Sequence, residues 1–209
     1  MSKKFFTIAI ISIMAIAFFT SCGARSITLA IENTPITDNG VVVNGIRWAT
    51  RNVDMPGIFV QNPEDFGMFY QWNSRKAWNS TNEIVQNWDY STPTGTMWYA
   101  QNDPCPRGWR VPTREELKSL ATASIGWTTR NGVNGRLFGT ADNHIFLPVA
   151  GGRNVYGRIN NAGIIGFYWG KTQYNEKLAW RLQMDRSRAW VHRDSSRPSG
   201  LSVRCVAVD

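Results

Sequence analysis

The chain has 209 residues, with ten tryptophans, eighteen glycines and a formal net charge of +8. That length suffices for one sizeable domain, and the many glycines and tryptophans predict a loop-rich fold. Seventeen of the basic residues are arginines, scattered singly along the chain. A nucleic-acid-binding arm would need a run of charges. We therefore expect no nucleic-acid partner, and arginines that mostly stack on rings or pair with carboxylates.

The first 22 residues have the pattern of a secretory leader. A basic start precedes an apolar run over residues 5–19 and small residues before Cys22, which predicts a signal peptide over 1–22. The run is shorter than the roughly 20 apolar residues of a membrane span. The small residues resemble a bacterial lipobox, although Phe19 departs from the usual aliphatic residue, and lipid (palmitate) on Cys22 would anchor the protein. Ordinary cleavage near Ser21, with Cys22 as a free thiol, stays an alternative.

The cysteine count predicts one disulfide. The chain has Cys22, Cys105 and Cys205, and an exported protein with an odd thiol needs a role for the one left over. Lipidation of Cys22 supplies that role, so the other two are expected to pair in an oxidising compartment. The bridge would close a loop of about 100 residues, for which chain-entropy models give roughly 4–5 kcal/mol.

Residues 23–40 are polar with scattered turn formers and predict a tether, which leaves 41–209 as the folded domain. Within the domain, Asn44-Gly45 between two apolar runs predicts a β-hairpin over 41–48. Residues 54–103 are rich in Pro, Asn, Gly and Trp. We expect long loops there, with one short helix near 68–78.

A helix start is indicated at Thr113. Thr113 and Glu116 have the spacing of a capping box, in which both side chains satisfy free backbone amides. Acidic residues in the first turn also suit the helix dipole. We therefore interpret Glu115 and Glu116 as helix-capping and solvated residues, not as catalytic carboxylates.

The last third of the chain alternates apolar and polar residues, as half-buried strands do. Leu201, Val203, Cys205 and Ala207 fall on one face of the final segment, so Cys205 would point at whatever carries Cys105. The prediction is an antiparallel meander, with strands over 178–182 and 189–193, a turn at 185–187, a polar loop over 194–200 and a third strand over 201–208.

Four segments follow one another in a recognisable order. They are Asn44-Gly45 with Trp48 and Asn52; residues 105–113 (CPRGWRVPT); Leu147-Pro148 with Ala150-Gly151 and residues 166–169 (GFYW); and residues 197–206 (RPSGLSVRCV). Together they resemble the Fibrobacter succinogenes major paralogous domain. The likeness runs from about residue 41 to residue 208.

The resemblance implies an α+β, C-type-lectin-like fold with small twisted antiparallel sheets, one or two helices and long loops. This fold is related to the formylglycine-generating, sulfatase-modifying superfamily, and its first and last strands pair. Family members are common in the envelope of Bacteroidota, often as lipoproteins. The lipobox-like segment at Cys22 independently indicates a lipoprotein.

The residues present no catalytic constellation. Formylglycine-generating relatives use paired cysteines that bind copper, whereas a disulfide accounts for Cys105 and Cys205. Ergothioneine-type relatives need three histidines at an iron site, and this chain has only His144 and His192. Calcium needs 6–8 oxygen ligands, more than any cluster in the sequence offers. We therefore expect a protein that is not an enzyme, with no cofactor and no metal.

The candidate ligand-binding face lies in residues 168–194. Aromatic and arginine side chains on a rigid sheet stack on sugar or aromatic faces and fork onto carboxylates or phosphates. The alternative is that the aromatics belong to the core and the arginines solvate an edge strand. Exported proteins of the resembled fold include targets of diversity-generating retroelements, and residues 169–205 have a compatible pattern. The candidate binding residues are Lys171, Gln173, Tyr174, Arg186, Arg188, Trp190, His192 and Arg193.

These observations predict a lipid-anchored outer-membrane protein of a Gram-negative bacterium. It would be an adhesin or ligand-recognition module for a glycan or protein ligand, alone or within a fimbria. The sequence leaves the membrane face undecided, since no run of acidic residues follows Cys22. Two alternatives stay open: a structural or assembly subunit of an envelope complex, and a divergent enzyme of the formylglycine-generating type.

Overall fold

Short β-strands dominate the residues that the computed structural model describes, 37–81 and 84–208. The predicted signal peptide, Cys22 and residues 23–36 of the predicted tether lie outside the described residues. One helix, α1 (Arg114–Thr122), lies between the fifth and sixth strands. The strands are β1 (Val41–Val43), β2 (Ile46–Asn52), β3 (Phe69–Gln71), β4 (Ala77–Trp78), β5 (Trp109–Arg110), β6 (Ser124–Arg130), β7 (Val133–Gly139), β8 (His144–Pro148), β9 (Gly152–Arg153), β10 (Ile159–Asn160), β11 (Gly166–Gln173), β12 (Leu178–Met184), β13 (Ala189–Ser196), β14 (Gly200–Leu201) and β15 (Arg204–Ala207).

The strands form four small antiparallel sheets. Their orders are β1-β2-β15-β5, which we call the closing sheet; β11-β12-β13, which we call the outer sheet; β10-β9-β14-β3-β4; and β6-β7-β8. The last strand therefore lies beside β2, with Val206 opposite Trp48. The family resemblance implies pairing of the first and last strands; the last strand instead pairs with the second one, β2, and β1 lies at the edge of this sheet.

The predicted α+β, C-type-lectin-like fold is wrong at the level of fold class. Strands hold 44% of the described residues and helices only 7%, so the described chain is β-rich. The physical reason is local. Asn44, Asn73, Asn87, Asn131 and Asn161 take positive φ values, a region that asparagine tolerates in turns. Asn44 and Asn131 form the turns of the β1–β2 and β6–β7 hairpins, whose flanking segments pair as antiparallel strands.

The helix expected near 68–78 is also wrong. Residues Phe69–Gln71 form β3, in which all three residues are buried, and Ala77–Trp78 form β4. Between the two strands Asn73 has a φ of 53°, which interrupts any right-handed helix. Burial on both faces and pairing with β14 fix this segment as strand, and neither is visible in its local sequence.

The predicted hairpin and helix are confirmed. Asn44 and Gly45, both at positive φ, connect β1 to β2. Helix α1 has Thr113 as its N-cap, with a complete capping box. The Thr113 amide donates to Glu116 Oε2 at 2.6 Å and the Glu116 amide donates to Thr113 Oγ1 at 3.1 Å. The described residues contain no helix with both the length and the hydropathy needed to cross a membrane.

The predicted meander is correct for two strands and wrong for the third. Strands β12 and β13 pair as expected, but the third strand of their sheet is β11. The final segment instead splits into β14, which pairs with β3 and β9, and β15, which pairs with β2 and β5. The predicted apolar face is present in three of its four residues, because Leu201, Val203 and Cys205 share one core, whereas Ala207 is only half-buried and lies outside it.

The core has two main parts, one on each side of the outer sheet. The first gathers Trp72, Trp98 and Trp169 around the disulfide, and the second gathers Trp48 and Tyr168 with buried leucines of α1. The predicted bond between Cys105 and Cys205 is confirmed and links residues 100 positions apart. It joins the loop before α1 to the last strand, and both cysteines are buried.

Two arginines, Arg197 and Arg204, are buried and form no ion pair with any carboxylate among the described residues. Arg204 is fully buried; its Nε and Nη2 donate to Asn52 Oδ1 at 3.0 and 2.7 Å, and its Nη1 donates to the carbonyls of Ala49 and Phe146. Burial lowers the pKa of Arg204 to about 10. Arg197 donates to the carbonyls of Pro93 and Gly95. The predicted structural role of isolated arginines is confirmed at these positions, with carbonyl oxygens as the main acceptors.

Candidate functional site

The outer sheet carries most of the predicted binding residues. Strand β12 lies in the centre and β13 forms one edge. Arg181 is opposite His192 and Gln183 is opposite Trp190. Because neighbouring residues of a strand point to opposite faces, these four residues share one face. The other face carries Leu182, which packs in the core with α1.

Arg181 is the central charged group of that first face. Its guanidinium lies 4.3 Å from the Phe167 ring centroid, and its Nη2 donates to Gln183 Oε1 at 2.7 Å. Asp194 Oδ1 is 3.8 Å from the same nitrogen. Burial lowers the pKa of Arg181 to about 10, and the carboxylate of Asp194 acts in the opposite direction. Among the described residues, Arg181 Nε has no hydrogen-bond partner.

Two predicted residues complete this face. His192 Nδ1 lies 2.5 Å from Asp194 Oδ1, so the carboxylate joins the imidazole to Arg181. The Arg188 guanidinium stacks over the Trp190 ring at 4.4 Å from its centroid. We call the contiguous group the edge patch, which consists of Arg181, Gln183, Arg188, Trp190, His192 and Asp194.

A second group lies on the helix side of the outer sheet. The Tyr174 and Trp180 rings meet edge to face, with centroids 5.6 Å apart. Arg114, the first residue of α1, lies 3.9 Å from the Trp180 centroid, and Arg193 lies 5.4 Å from the Tyr174 centroid. We call these four residues the helix-side cluster. Tyr174 is 42% exposed, so part of its ring is open to solvent.

Residues 44–207 match the family model described as the Fibrobacter succinogenes major domain. The chain belongs to this family. Comparison with the curated proteins and with the solved structures finds no significant match. The matched range of the Fibrobacter succinogenes major domain contains both bridged cysteines, α1, the edge patch and the helix-side cluster.

The remaining predicted residues of this domain lie apart from both groups. Lys171 lines a cleft beside the disulfide. Gln173 Oε1 accepts a hydrogen bond from Arg197 Nη2 at 2.8 Å and lines a different cleft of about 590 Å³. Arg186 is exposed, and its carbonyl accepts from Arg136 Nη2 in the turn between β12 and β13. The eight predicted residues therefore belong to several surfaces of the Fibrobacter succinogenes major domain.

Sequence reasoning missed the residues that connect these groups. Arg181 and Gln183 lie on the edge patch, but the strand prediction used only their apolar neighbours. Their alternation with Trp180 and Leu182 was the available signal, because it places them on the opposite face. The contact of Arg114 with Trp180 had no such signal, since it joins residues 66 positions apart in different elements.

Proposed function

We propose that this Fibrobacter succinogenes major domain is a non-catalytic recognition module of the cell envelope, which holds a glycan or protein ligand on the edge patch or on the helix-side cluster. The observation that carries the proposal is the stacking of arginines on partly exposed aromatic rings on both faces of the outer sheet. Arginine and aromatic side chains are the residues most enriched at binding hot spots.

The geometry explains why such stacks suit recognition. An arginine that lies flat on a ring keeps the N–H donors at its edge directed outwards, where they can fork onto a carboxylate or phosphate. The ring limits the rotamers of the arginine, so less conformational entropy is lost when a ligand binds. In the edge patch the Arg188–Trp190 stack lies next to the donors and acceptors of His192 and Gln183.

The proposed location rests on the N-terminal sequence. Lipidation of Cys22 would anchor the domain to the outer membrane, with residues 23–36 available as a connection to the folded domain. Asp38 already contacts that domain, because its carboxylate accepts from the Thr50 amide and hydroxyl at 2.8 and 2.9 Å. A lipid anchor would retain the recognition surface at the envelope without a spanning helix.

A structural or assembly subunit is the second candidate. It is favoured by one observation, that β13 is an edge strand of the outer sheet. Edge strands offer unpaired backbone groups to a neighbouring chain. An enzyme of the formylglycine-generating type is a weaker candidate, since Cys105 and Cys205 are both committed to the disulfide.

The proposal is tested by a binding screen of the full-length chain, purified in detergent, on an array of glycans and host glycoproteins. The test variant replaces Tyr174, Arg188 and Trp190 by alanine. The control variant replaces three exposed residues outside both groups by alanine, namely Tyr90, Tyr156 and Arg158.

A specific hit that the test variant loses and the control variant keeps would support recognition. A well-folded wild type without any hit, or equal binding by all three proteins, would contradict it. Cross-linking in envelope extracts then tests the assembly role. Loss of a cross-link to another envelope protein in the test variant would support that role.

A further inference from the structure

A cleft of about 570 Å³ lies beside the disulfide, and we call it the disulfide cleft. Cys105 lines this cleft together with apolar, aromatic and cationic side chains. Met97, Tyr99 and Trp109 give it apolar and aromatic surface, and four cationic residues line it, namely Arg75, Arg107, Arg110 and Lys171. The cleft is therefore both aromatic and strongly basic.

Three of these cations are free to meet a ligand. Arg110 is occupied, because its two terminal nitrogens donate to both carboxylate oxygens of Glu116 at 2.8 and 2.7 Å. Within residues 37–81 and 84–208, the side chains of Arg75, Arg107 and Lys171 have no hydrogen bond or ion pair. Arg75 and Arg107 are exposed and Lys171 is half-buried, so all three reach solvent.

Among the described residues, one carboxylate lines the disulfide cleft, and it is directed towards the backbone. Asp103 accepts from the Cys105 amide at 2.9 Å and from the Val111 amide at 3.0 Å. Among the described residues no ion pair joins Asp103 to a cation of the cleft. Asp103 thus helps to hold the loop before α1. It also interacts electrostatically with Lys171 and Arg110, but a single carboxylate leaves the cations of the cleft with an excess of positive charge.

The aromatic wall is shaped by the same loop. The Trp109 ring packs edge to face against Phe59, with centroids 5.7 Å apart, and it remains only half-buried. Tyr99 is 36% exposed, and its ring hydroxyl accepts from the Thr96 amide at 3.4 Å. Both rings are held in place before any ligand arrives, and sugar rings pack on surfaces of this kind through their C–H faces.

We propose that the disulfide cleft is a second binding site, which takes an acidic saccharide bearing carboxylate or sulfate groups. Arg75, Arg107 and Lys171 would bind the anionic groups through charge-assisted hydrogen bonds. Tyr99 and Trp109 would support the sugar ring. The site shares only Lys171 with the residues predicted from the sequence, and none with the edge patch or the helix-side cluster.

The test uses the full-length chain in detergent at low ionic strength, where exposed charges act most strongly. Calorimetric titrations compare a heparin-derived tetrasaccharide, which is sulfated, with tetragalacturonate, which carries only carboxylates, and with neutral cellotetraose. The test variant is Arg75→Gln/Arg107→Gln/Lys171→Gln. The control variant Arg47→Gln/Lys118→Gln/Arg158→Gln removes the same charge from exposed positions outside the cleft.

We expect at least one acidic tetrasaccharide to bind the wild type and the control variant. The test variant should bind about tenfold or more weakly, because three charge-assisted contacts are lost. Binding of the sulfated probe alone assigns sulfate, and binding of tetragalacturonate alone assigns carboxylate. The variant Tyr99→Leu should weaken binding severalfold while the net charge stays the same.

Three results would overturn the proposal: no binding of either acidic probe by the folded wild type, equal loss in the test and control variants, or equal binding of cellotetraose. The alanine variant of Tyr174, Arg188 and Trp190 separates this proposal from the proposed function. It should keep its affinity for the acidic probe. The two proposed sites can therefore be confirmed or rejected independently.

Discussion

The closing sheet and the outer sheet use arginine in opposite ways. In the closing sheet, Arg204 of β15 is fully buried and donates to Asn52 and two backbone carbonyls. On the outer sheet, Arg188 is exposed and lies over the Trp190 ring. The difference shows that burial, not residue type, decides whether an arginine stabilises the fold or remains available to a ligand. Four predictions probe that difference.

The largest expected effect is on the disulfide that secures the closing sheet. The double variant Cys105→Ala/Cys205→Ala should lose about 4 kcal/mol of unfolding free energy, since the bridge closes a loop of about 100 residues in the unfolded chain. Urea denaturation of the oxidised wild type and the variant measures the loss. A difference below about 1 kcal/mol would mean that the bridge adds little to the packing around it.

The next effect separates the two arginine roles directly. Arg204→Met should cost about 3 kcal/mol, because Asn52 and two carbonyls lose their buried donor. Arg188→Met should cost no more than about 1 kcal/mol, the usual range for an exposed cation–π contact. Denaturant unfolding of the two variants measures both free-energy losses. Similar losses would contradict the difference between the buried and the exposed arginine.

A smaller effect concerns the capping box of α1. Burial raises the pKa of Glu116, but hydrogen bonds from Arg110 and the Thr113 amide outweigh it, and the net pKa lies below the ordinary value of 4.5. Ionised Glu116 therefore stabilises the fold above pH 4.5, and this contribution is lost as the pH falls through the lowered pKa. Glu116→Gln should cost about 1 kcal/mol at pH 7.

The measurement is the unfolding midpoint of wild type and Glu116→Gln between pH 7 and pH 3. The two curves should approach each other below pH 4.5. The matched control is Glu115→Gln, since the Glu115 side chain is 69% exposed. If Glu115→Gln shows the same pH dependence, the capping interaction is not its source.

The smallest stability effect is expected at the helix-side cluster. Arg193→Gln removes a cation that lies 5.4 Å from the Tyr174 centroid. We expect a loss of about 0.5 kcal/mol at most, together with weaker binding of any ligand found for the outer sheet. Thermal unfolding and the array screen measure the two quantities on the same sample. A large loss of stability without loss of binding would assign Arg193 to the fold.

Local signals allowed several features to be predicted. Asn44-Gly45 specifies its turn through two positive φ values, and the Thr113–Glu116 spacing specifies a helix start. Disulfide pairing followed from counting cysteines. The turn and the helix start depend on residues that are close in sequence, and the disulfide depends on the number of cysteines. None of the three predictions required knowledge of tertiary contacts.

The rest of the fold depends on partners far away in the chain. Strand β14 has two residues and pairs with strands that start at Phe69 and Gly152, so its own sequence carries little information. In the outer sheet the register shifts between Trp169 and Gln173 and again between Ala179 and Arg181. Such bulges change which side chains share a face, and consecutive residues such as His192 and Arg193 point to opposite faces by alternation. The predicted binding residues therefore separated into several groups.

The position of β15 has a consequence for the order in which the domain can assemble. This strand lies between β2 and β5 and carries Cys205. Neither neighbouring strand has its full set of backbone partners until residues 204–207 have been synthesised and delivered. Contacts between such distant segments form slowly. The strand that completes the closing sheet is among the last parts of the domain to be synthesised, so the sheet stays incomplete until nearly the whole domain is available.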